Sequence, residues 1–358
     1  MTKNYEKLIQ RVKERSNPSA IDESVLLEKS FSAELRNLYD RKVLVYIKRA
    51  MQGVEPIYTR NTFEAGNKVK SHLKNAYPNL DYEYQGSVPS NTHIKGYSDI
   101  DLVQISGSFY SHENMSVFTN ASLRTDLDYY QRTRLNEVIN ATPYLGDANE
   151  NLKKIRQDAE ELLAKVYKGV NSDKAKSIEV NVTSPKRMVD VVTASWYKSI
   201  DAVVNGNEYL KGIQIYDKKK NIRLKVDFPF LKIHLINTRD SEVNGRLKKM
   251  IRFLKTLKAD ADIQIDFSSF DISSVCYNID KIKYFDKSYD ELVHVLFEEL
   301  SKIAMDSVYR DSIRSIDDTE YIFKNNPEKI TQLRLLLNEL DAILKDMLKD
   351  SLVKRFLL

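Results

Sequence analysis

Residues 84–105 read YQGSVPSNTHIKGYSDIDLVQI, and this stretch decides how the whole chain is interpreted. Its final part, SDIDLVQI, alternates polar and apolar residues in the way that predicts a β-strand. Asp99 and Asp101 lie two positions apart on that strand, so both side chains should project from the same face. Paired carboxylates repel one another unless a cation lies between them, and hard divalent cations prefer oxygen ligands. The stretch therefore predicts a metal-binding strand.

Upstream, Gly86 and Ser87 follow a second predicted strand, DYEYQ. Glycine allows a close approach of the backbone, and its amide together with a serine hydroxyl can bind phosphate oxygens. Each motif alone has an ordinary explanation, since a Gly-Ser pair is usually a turn and two spaced aspartates often lie on a solvated edge. Their combination between two strands is much more specific and points to nucleotide chemistry.

The composition indicates a folded protein that is rich in helix. The chain has 358 residues, of which 42% are hydrophobic and 30% charged, and it contains only 10 glycines and 8 prolines. This balance excludes a disordered chain. The net charge of +5 is modest for a dedicated DNA-binding protein, which usually concentrates a larger basic excess.

Cysteine and hydropathy patterns limit the class further. Cys276 is the only cysteine in the sequence, so it cannot form an intrachain disulfide, and with five scattered histidines it cannot supply a standard structural zinc site. No apolar run approaches the roughly 20 residues that span a bilayer, and the first residues lack the apolar core of a signal peptide. We therefore expect a cytoplasmic protein without a membrane partner.

Working outward, periodicity predicts an α+β protein with a mixed sheet in its middle. A helix that begins at Asn61 or Thr62, with Glu64 completing the cap, is expected to follow a first helix. The region 106–122 is rich in serine and asparagine and interrupts the pattern. Predicted helices cover 22–51, 61–75, 125–140, 148–169, 241–259, 268–278, 289–305 and 329–350, whereas predicted strands and hairpins cover 177–183, 187–193 and 212–227.

Gly86-Ser87, Thr92 and Ser98-Asp99-Ile100-Asp101 resemble the signature of the DNA polymerase β-like nucleotidyltransferase superfamily. Within it, the sequence is most similar to the cGAS/DncV-like nucleotidyltransferases (CD-NTases). The resemblance implies a two-lobed nucleotidyltransferase fold in which a helical lobe closes over the nucleotide. The layout of the predicted elements gives an N-terminal helical spine and catalytic core in 1–227 and a C-terminal helical lobe in 228–358.

The superfamily also requires a third carboxylate on a later strand, and the resemblance assigns it to Asp190. An aspartate between Val189 and Val191 is unusual in a strand unless its face opens onto a polar site. Asp227 is the rival, but it precedes a proline and can simply cap the next helix. We therefore expect Asp99, Asp101 and Asp190 to be the catalytic metal ligands.

The resemblance extends to the predicted second lobe. Lys248, Arg252 and Lys255 recur at helical spacing, and the family uses such a helix to hold the triphosphate; a solvated charged face is the alternative. Ser269 and Phe270 match a segment that contacts phosphate and stacks on the base, unless Ser268 merely caps a helix and Phe270 lies in the core. The expected nucleotide-binding residues are Gln85, Gly86, Ser87, Ser98, Arg252, Lys255, Ser269 and Phe270.

Oxygen ligands on a strand suit phosphoryl transfer from a nucleoside triphosphate but do not identify the acceptor. The resemblance implies a template-independent synthase that uses two Mg²⁺ ions, or Mn²⁺, to make a cyclic di- or trinucleotide messenger. This product would switch on a separate effector in CBASS-type anti-phage signalling. The animal DNA sensor of this family carries a Cys/His zinc insertion that this sequence lacks, which argues against activation by double-stranded DNA. The oligomeric state stays open. The alternatives are a nucleotidyltransferase acting on RNA ends or a protein, and a non-catalytic nucleotide-binding regulator.

Overall fold

The computed structural model describes residues 3–14, 42–94, 96 and 99–356. They form two compact units, each assembled from separated segments. The sheet unit consists of residues 59–89 and 99–234, and the helical unit consists of the other described residues. The expected division of the chain between residues 227 and 228 stays a prediction, because compactness does not by itself define a domain.

The helices of the described chain have the following bounds: α1 Tyr5–Glu14, α2 Lys42–Met51, α3 Pro56–Ala76, α4 Met115–Ser122, α5 Tyr129–Ile139, α6 Ala148–Val166, α7 Ile200–Asn205, α8 Pro229–Glu242, α9 Arg246–Asp260, α10 Ser269–Asn278, α11 Lys281–Tyr284, α12 Tyr289–Met305, α13 Ser307–Ser312 and α14 Pro327–Phe356. The strands are β1 Asp81–Gln85, β2 Ile100–His112, β3 Val170–Asn171, β4 Ser177–Thr183, β5 Lys186–Lys198, β6 Gly212–Asp217 and β7 Ile222–Arg223.

A mixed sheet organises the sheet unit, in the order β1-β2-β5-β4-β3. β6 pairs with the second half of β5, and β7 pairs with β6. β2 and β5 run parallel, whereas the other pairs are antiparallel. A parallel pair needs a long crossover connection, which residues 113–185 supply with three helices, β3 and β4. The expected α+β class is confirmed.

One face of this sheet is apolar because every second residue of its central strands is aliphatic. Leu102, Ile178, Val180, Val189 and Val191 are fully buried in one cluster, against α3 and α6. Burying a side chain of this size stabilises the fold by about 1.5–3 kcal/mol. The intervening residues of the same strands must therefore face the other way, which leaves that face available for polar groups.

The helical unit has its own core, in which α9 is central. Met250, Ile251, Phe253 and Leu254 of α9 are fully buried and pack with residues of α2, α10, α12 and α14. Among the described helices, none is both long enough and apolar enough to cross a membrane.

Several predicted elements differ from the structure. α3 begins at Pro56, so the helix start expected at Asn61 or Thr62 is wrong, because both residues lie inside a continuous helix. The region 106–122 contains the end of β2 and all of α4. The helix expected over 241–259 is two helices, since Asn244 and Gly245 adopt positive φ angles of 51° and 76°. Of the helix expected over 22–51, residues 22–41 lie outside the described residues.

Other expectations are confirmed. β4 covers 177–183 and α12 covers 289–305 as expected. α10 begins one residue after its expected start, at Ser269, because Ser268 is its N-cap.

We predict that Gly107→Ala destabilises the sheet unit. Gly107 lies where the pairing of β2 with β5 shifts register, and a Cβ there would come within 2.6 Å of the backbone oxygen of Asn79. A backbone atom cannot move aside cheaply, so we expect a loss of about 1–3 kcal/mol in the free energy of unfolding, measured by thermal or urea denaturation. Gly53→Ala is the control, because its Cβ would meet only Arg252 at 3.8 Å. Equal stability of the two variants would contradict the prediction.

Candidate active site

A row of polar residues crosses four neighbouring strands on the face opposite the aliphatic core. The register pairs Gln85 of β1 with Asp101 of β2, Asp101 with Asp190 of β5, and Asp190 with Glu179 of β4. Directly paired residues in a sheet point to the same face, with Cβ atoms about 5 Å apart. We name Asp101, Asp190 and Glu179 the acidic row.

Asp99 immediately precedes β2 and lies two residues before Asp101. It is exposed as a residue, yet desolvation raises the pKa of its carboxyl, and the charge of Asp190 raises that pKa further. For Asp101, burial together with the charges of Asp190 and Asp99 raises the pKa to about 7. The register brings Asp101 beside Asp190, and like charges this close repel one another.

Asp190 and Glu179 of the acidic row share a cationic neighbour, Lys174. The Lys174 ammonium lies 3.3 Å from Oδ1 and 3.5 Å from Oδ2 of Asp190. The same ammonium forms an ion pair with Glu179 at 2.5 Å. The Ser177 hydroxyl donates to Asp190 Oδ1 at 3.3 Å. Lys174 therefore joins two adjacent carboxylates of the row.

Position 86 requires glycine for a steric reason. Its φ angle of +84° lies in the left-handed region, and a Cβ at this position would overlap Oδ2 of Asp101. Only glycine therefore lets the turn after β1 approach the carboxylate so closely. Beside it, Gln85 Oε1 is buried and has no hydrogen-bond partner within the described residues. Ser87 follows in the same turn, and Ser98 lies outside the described residues.

The donors at this site fit a hard divalent cation. Asp99, Asp101 and Asp190 offer only carboxylate oxygens, which are the ligands that Mg²⁺ and Mn²⁺ prefer. Across residues 3–14, 42–94, 96 and 99–356, no group of three or more His, Cys, Asp or Glu side chains is already arranged to coordinate a metal ion. The carboxylates share a face of the sheet and repel one another, and a bound cation would offset that repulsion.

Arg252 and Lys255 of α9 are engaged inside the helical unit. Arg252 donates from Nε to the Met51 carbonyl at 3.0 Å and from Nη1 to the Asn91 carbonyl at 2.8 Å. Lys255 donates to the Thr92 carbonyl at 2.9 Å. Both cationic side chains are buried. They hold the segment between the two halves of the signature, so contact with a triphosphate would require an exchange of partners and stays a prediction.

The basic face of α9 also has an acidic partner that the sequence argument did not find. The ammonium of Lys248 lies 3.6 Å from Asp240 of α8. Segment 246–259 contains no acidic residue, but the preceding helix supplies one, and only the packing of the two helices shows it.

Ser269 and Phe270 begin α10. Ser268 caps this helix in a reciprocal capping box with Asp271, which is the alternative that the sequence left open. Ser269 is exposed, and Phe270 is partly buried against the core of the helical unit. Their predicted nucleotide contacts stay predictions.

Asp227, the rival third carboxylate, belongs to the start of α8 instead of the acidic row. Its Oδ1 accepts from the Phe228 amide at 2.9 Å and pairs with Lys232.

Sequence reasoning missed Lys174 and Glu179. Glu179 could have been found, because it alternates with Ile178 and Val180 and so faces the polar side. Lys174 could not, because it lies in the loop before β4 and its position depends on how that loop folds.

Comparison with known proteins identifies the family. Residues 234–345 match the family described as the cGAS/DncV-like nucleotidyltransferase C-terminal helical domain. A c-di-GMP synthase from Flavobacteriaceae sp. is 41% identical over 369 residues, covering 99% of this chain and 100% of the relative. The chain belongs to the cGAS/DncV-like nucleotidyltransferases. A second c-di-GMP synthase, from Capnocytophaga granulosa, is 41% identical over 344 residues, covering 95% of this chain and 97% of the relative.

A solved CD-NTase structure has the same fold. The STING-associated CdnE c-di-GMP synthase from Flavobacteriaceae sp. superposes with a TM-score of 0.83 at 40% identity, covering 97% of this chain and 99% of that one. The expected family, its nucleotidyltransferase fold and its enzymatic class are confirmed. CD-NTases join nucleoside triphosphates into cyclic oligonucleotides and use divalent metal ions.

We predict that titration of Lys255 makes the free energy of unfolding increase with pH in the alkaline range. Burial, together with the charges of Arg252 and Lys258, lowers the pKa of Lys255 to about 8. The unfolded chain has the higher pKa and binds more protons between about pH 8 and 10, so stability should rise with pH there. Lys255→Met should lack this rise, which we expect to be about 1–3 kcal/mol, in urea titrations at pH 7 and 9.5.

The control for this prediction is Lys176→Met, which removes an exposed lysine and should keep the wild-type pH dependence. An unchanged pH dependence in Lys255→Met would contradict the prediction.

Proposed function

We propose that this CD-NTase condenses two molecules of GTP into c-di-GMP. The observation that carries the proposal is the similarity to two named c-di-GMP synthases, at 41% identity across nearly the full length of each protein. Base specificity depends on many pocket residues together, and relatives this similar along their whole length usually share such a pocket.

The chemistry is phosphoryl transfer in two equivalent steps. In each step a ribose hydroxyl oxygen of one GTP forms a bond to the α-phosphorus of the other, and the bond from that phosphorus to pyrophosphate breaks. Two GTP molecules thus give one cyclic product and two pyrophosphates, and the hydroxyl protons leave to solvent. The attacking hydroxyl must lose a proton while the leaving group gains negative charge, so the site must stabilise both oxygens.

We assign the reaction to Asp99, Asp101 and Asp190. Asp99 and Asp101 would hold two Mg²⁺ or Mn²⁺ ions, and Asp190 would share one of them and orient the attacking hydroxyl. Bound metal ions would supply electrostatic stabilisation of the attacking and leaving oxygens. The register of Asp101 with Asp190 supports this assignment, because it puts carboxylates from two strands side by side.

Phosphate contacts are assigned to the turn after β1. Gln85 pairs with Asp101 at the end of β1, Gly86 approaches the Asp101 carboxylate, and Ser87 follows in the same turn. We retain Ser98, Arg252, Lys255, Ser269 and Phe270 as proposed nucleotide contacts. Among them, Arg252 and Lys255 would have to leave the carbonyls that they now hold.

The product is proposed to act through a separate effector. The solved relative is called STING-associated, which favours an effector that recognises c-di-GMP and a role in anti-phage defence. We place the reaction in the cytoplasm, where GTP is available. The modest net charge of +5 disfavours activation by double-stranded DNA.

The first test is a product assay with Asp99→Asn/Asp101→Asn. Wild-type protein is incubated with each NTP alone and in pairs, with Mg²⁺ or Mn²⁺, then treated with phosphatase and analysed by mass spectrometry. GTP alone should give a phosphatase-resistant cyclic dinucleotide, and the double variant should lower its rate more than about 100-fold, because the metal ligands are gone. Digestion with a nuclease specific for 3′–5′ linkages then identifies the linkage.

The matched control is Asp201→Asn, which removes an exposed carboxylate of the same sheet unit and should keep wild-type activity. A product that requires ATP, UTP or CTP would overturn the c-di-GMP assignment but keep the synthase. Linear oligomers or labelled macromolecules would instead favour an enzyme that modifies RNA ends or a protein.

We also predict that Gly86→Ala lowers activity more than it lowers stability. The new Cβ would overlap the Asp101 carboxylate and would add strain at a positive φ. We expect the rate of product formation to fall by about 100-fold or more, with a loss of about 1–3 kcal/mol in the free energy of unfolding. Parallel activity and denaturation measurements check this, and Gly53→Ala again serves as the control. A fully active Gly86→Ala variant would contradict the close approach seen in the structure.

A further inference from the structure

Lys174 lies among four carboxylates, and the reaction described above gives it no role. Its ammonium contacts Asp190 and Glu179 directly. Its positive charge also acts on Asp99 and Asp101, where it opposes the mutual repulsion of the carboxylates. The Lys174 ammonium therefore lies against the carboxylates of both Asp190 and Glu179.

A buried arginine holds the loop that carries Lys174. Arg156 of α6 is 1% exposed, and its Nη2 donates to the carbonyls of Ser177 at 2.7 Å, Lys174 at 3.1 Å and Ser172 at 3.3 Å. Its Nε donates to Glu160 at 2.7 Å. Two carbonyls of the loop and one at the start of β4 therefore converge on a single buried guanidinium, which fixes the path of the loop.

A second cation strengthens the same anchor. Lys218 donates to Glu160 at 2.8 Å and to the Ser172 carbonyl at 3.1 Å, and its own amide donates to the Ala175 carbonyl at 2.9 Å. The loop is thus tied both to α6 and to the end of β6. These hydrogen bonds give the backbone of Lys174 a defined position.

We propose that Lys174 is a built-in counter-cation of the acidic row, held in place by the loop that Arg156 anchors, and that its charge weakens the affinity of the row for a divalent cation. Lys174 is a positioning residue that acts through Asp190. It keeps the carboxylates together before metal binds, and it makes metal binding depend on the additional negative charge of nucleotide phosphates. The inference rests on the proposed function, since it takes Asp99, Asp101 and Asp190 as metal ligands.

The electrostatic consequence has a definite sign. A metal ion at Asp190 would lie within a few ångströms of the ammonium, where like charges repel strongly. Replacing Lys174 by a neutral side chain of similar length should therefore tighten metal binding. A residue that merely stabilised the fold would have the opposite effect, because its loss would loosen the site.

The test is isothermal titration calorimetry of Mn²⁺ into the full chain without nucleotide. We expect Lys174→Met to lower the Kd for Mn²⁺ by about tenfold and Lys174→Arg, which keeps the charge, to stay within about twofold of the wild type. Lys176→Met, an exposed lysine of the same loop, is the matched control and should also stay within about twofold. Circular dichroism establishes that each variant is folded, and Lys174→Gln replaces Lys174→Met if the latter does not fold.

Asp101→Asn separates this inference from the proposed function. If Asp101→Asn binds Mn²⁺ as tightly as the wild type, the assigned metal site is wrong and the Lys174 proposal falls with it. If Asp101→Asn weakens binding but Lys174→Met leaves the Kd unchanged or raises it, the metal site stands and the counter-cation proposal alone is overturned. Tighter binding in Lys174→Met, reversed in Lys174→Arg, supports the proposal.

Discussion

Parallel pairing of β2 with β5 forces like charges together, because it sets Asp101 directly beside Asp190. Two neighbouring features lie against these charges. Gly86 brings an uncharged turn against Asp101, and Lys174 supplies a positive charge to Asp190 and Glu179. A protein gains no stability from such an arrangement, and groups whose pKa values are perturbed in this way cluster at functional sites.

Burial of the aliphatic face of the sheet offsets the electrostatic cost of the adjacent carboxylates. Val189 and Val191 flank Asp190, and Ile100 and Leu102 flank Asp101, and all four are fully buried. Alternation along each strand therefore couples the position of the carboxylates to the burial of the core. A shift of one residue in either strand would bury the aspartates and expose the aliphatic side chains, so the register is strongly fixed.

The helical unit shows a different use of charge. Arg252 and Lys255 donate to the backbone of residues 91 and 92, which lie within the same signature stretch as Asp99. Cations that the family resemblance assigns to a triphosphate thus shape a loop in this structure. A charged helix residue that matches a binding motif can instead stabilise a nearby loop. Its hydrogen-bond partners must therefore be known before a role is assigned to it.

Sequence alone determined the family, the α+β class and the candidate carboxylates, because the spacing of Asp99 and Asp101 and the valines around Asp190 are local patterns. It also indicated most of the long helices, whose apolar periodicity is strong. Tertiary structure alone decided that Glu179 stands beside Asp190, that the Arg156-held loop brings Lys174 to both, and that Asp240 pairs with Lys248. These contacts join residues from different elements, and local periodicity carries no information about strand register, loop path or the packing of one helix on another.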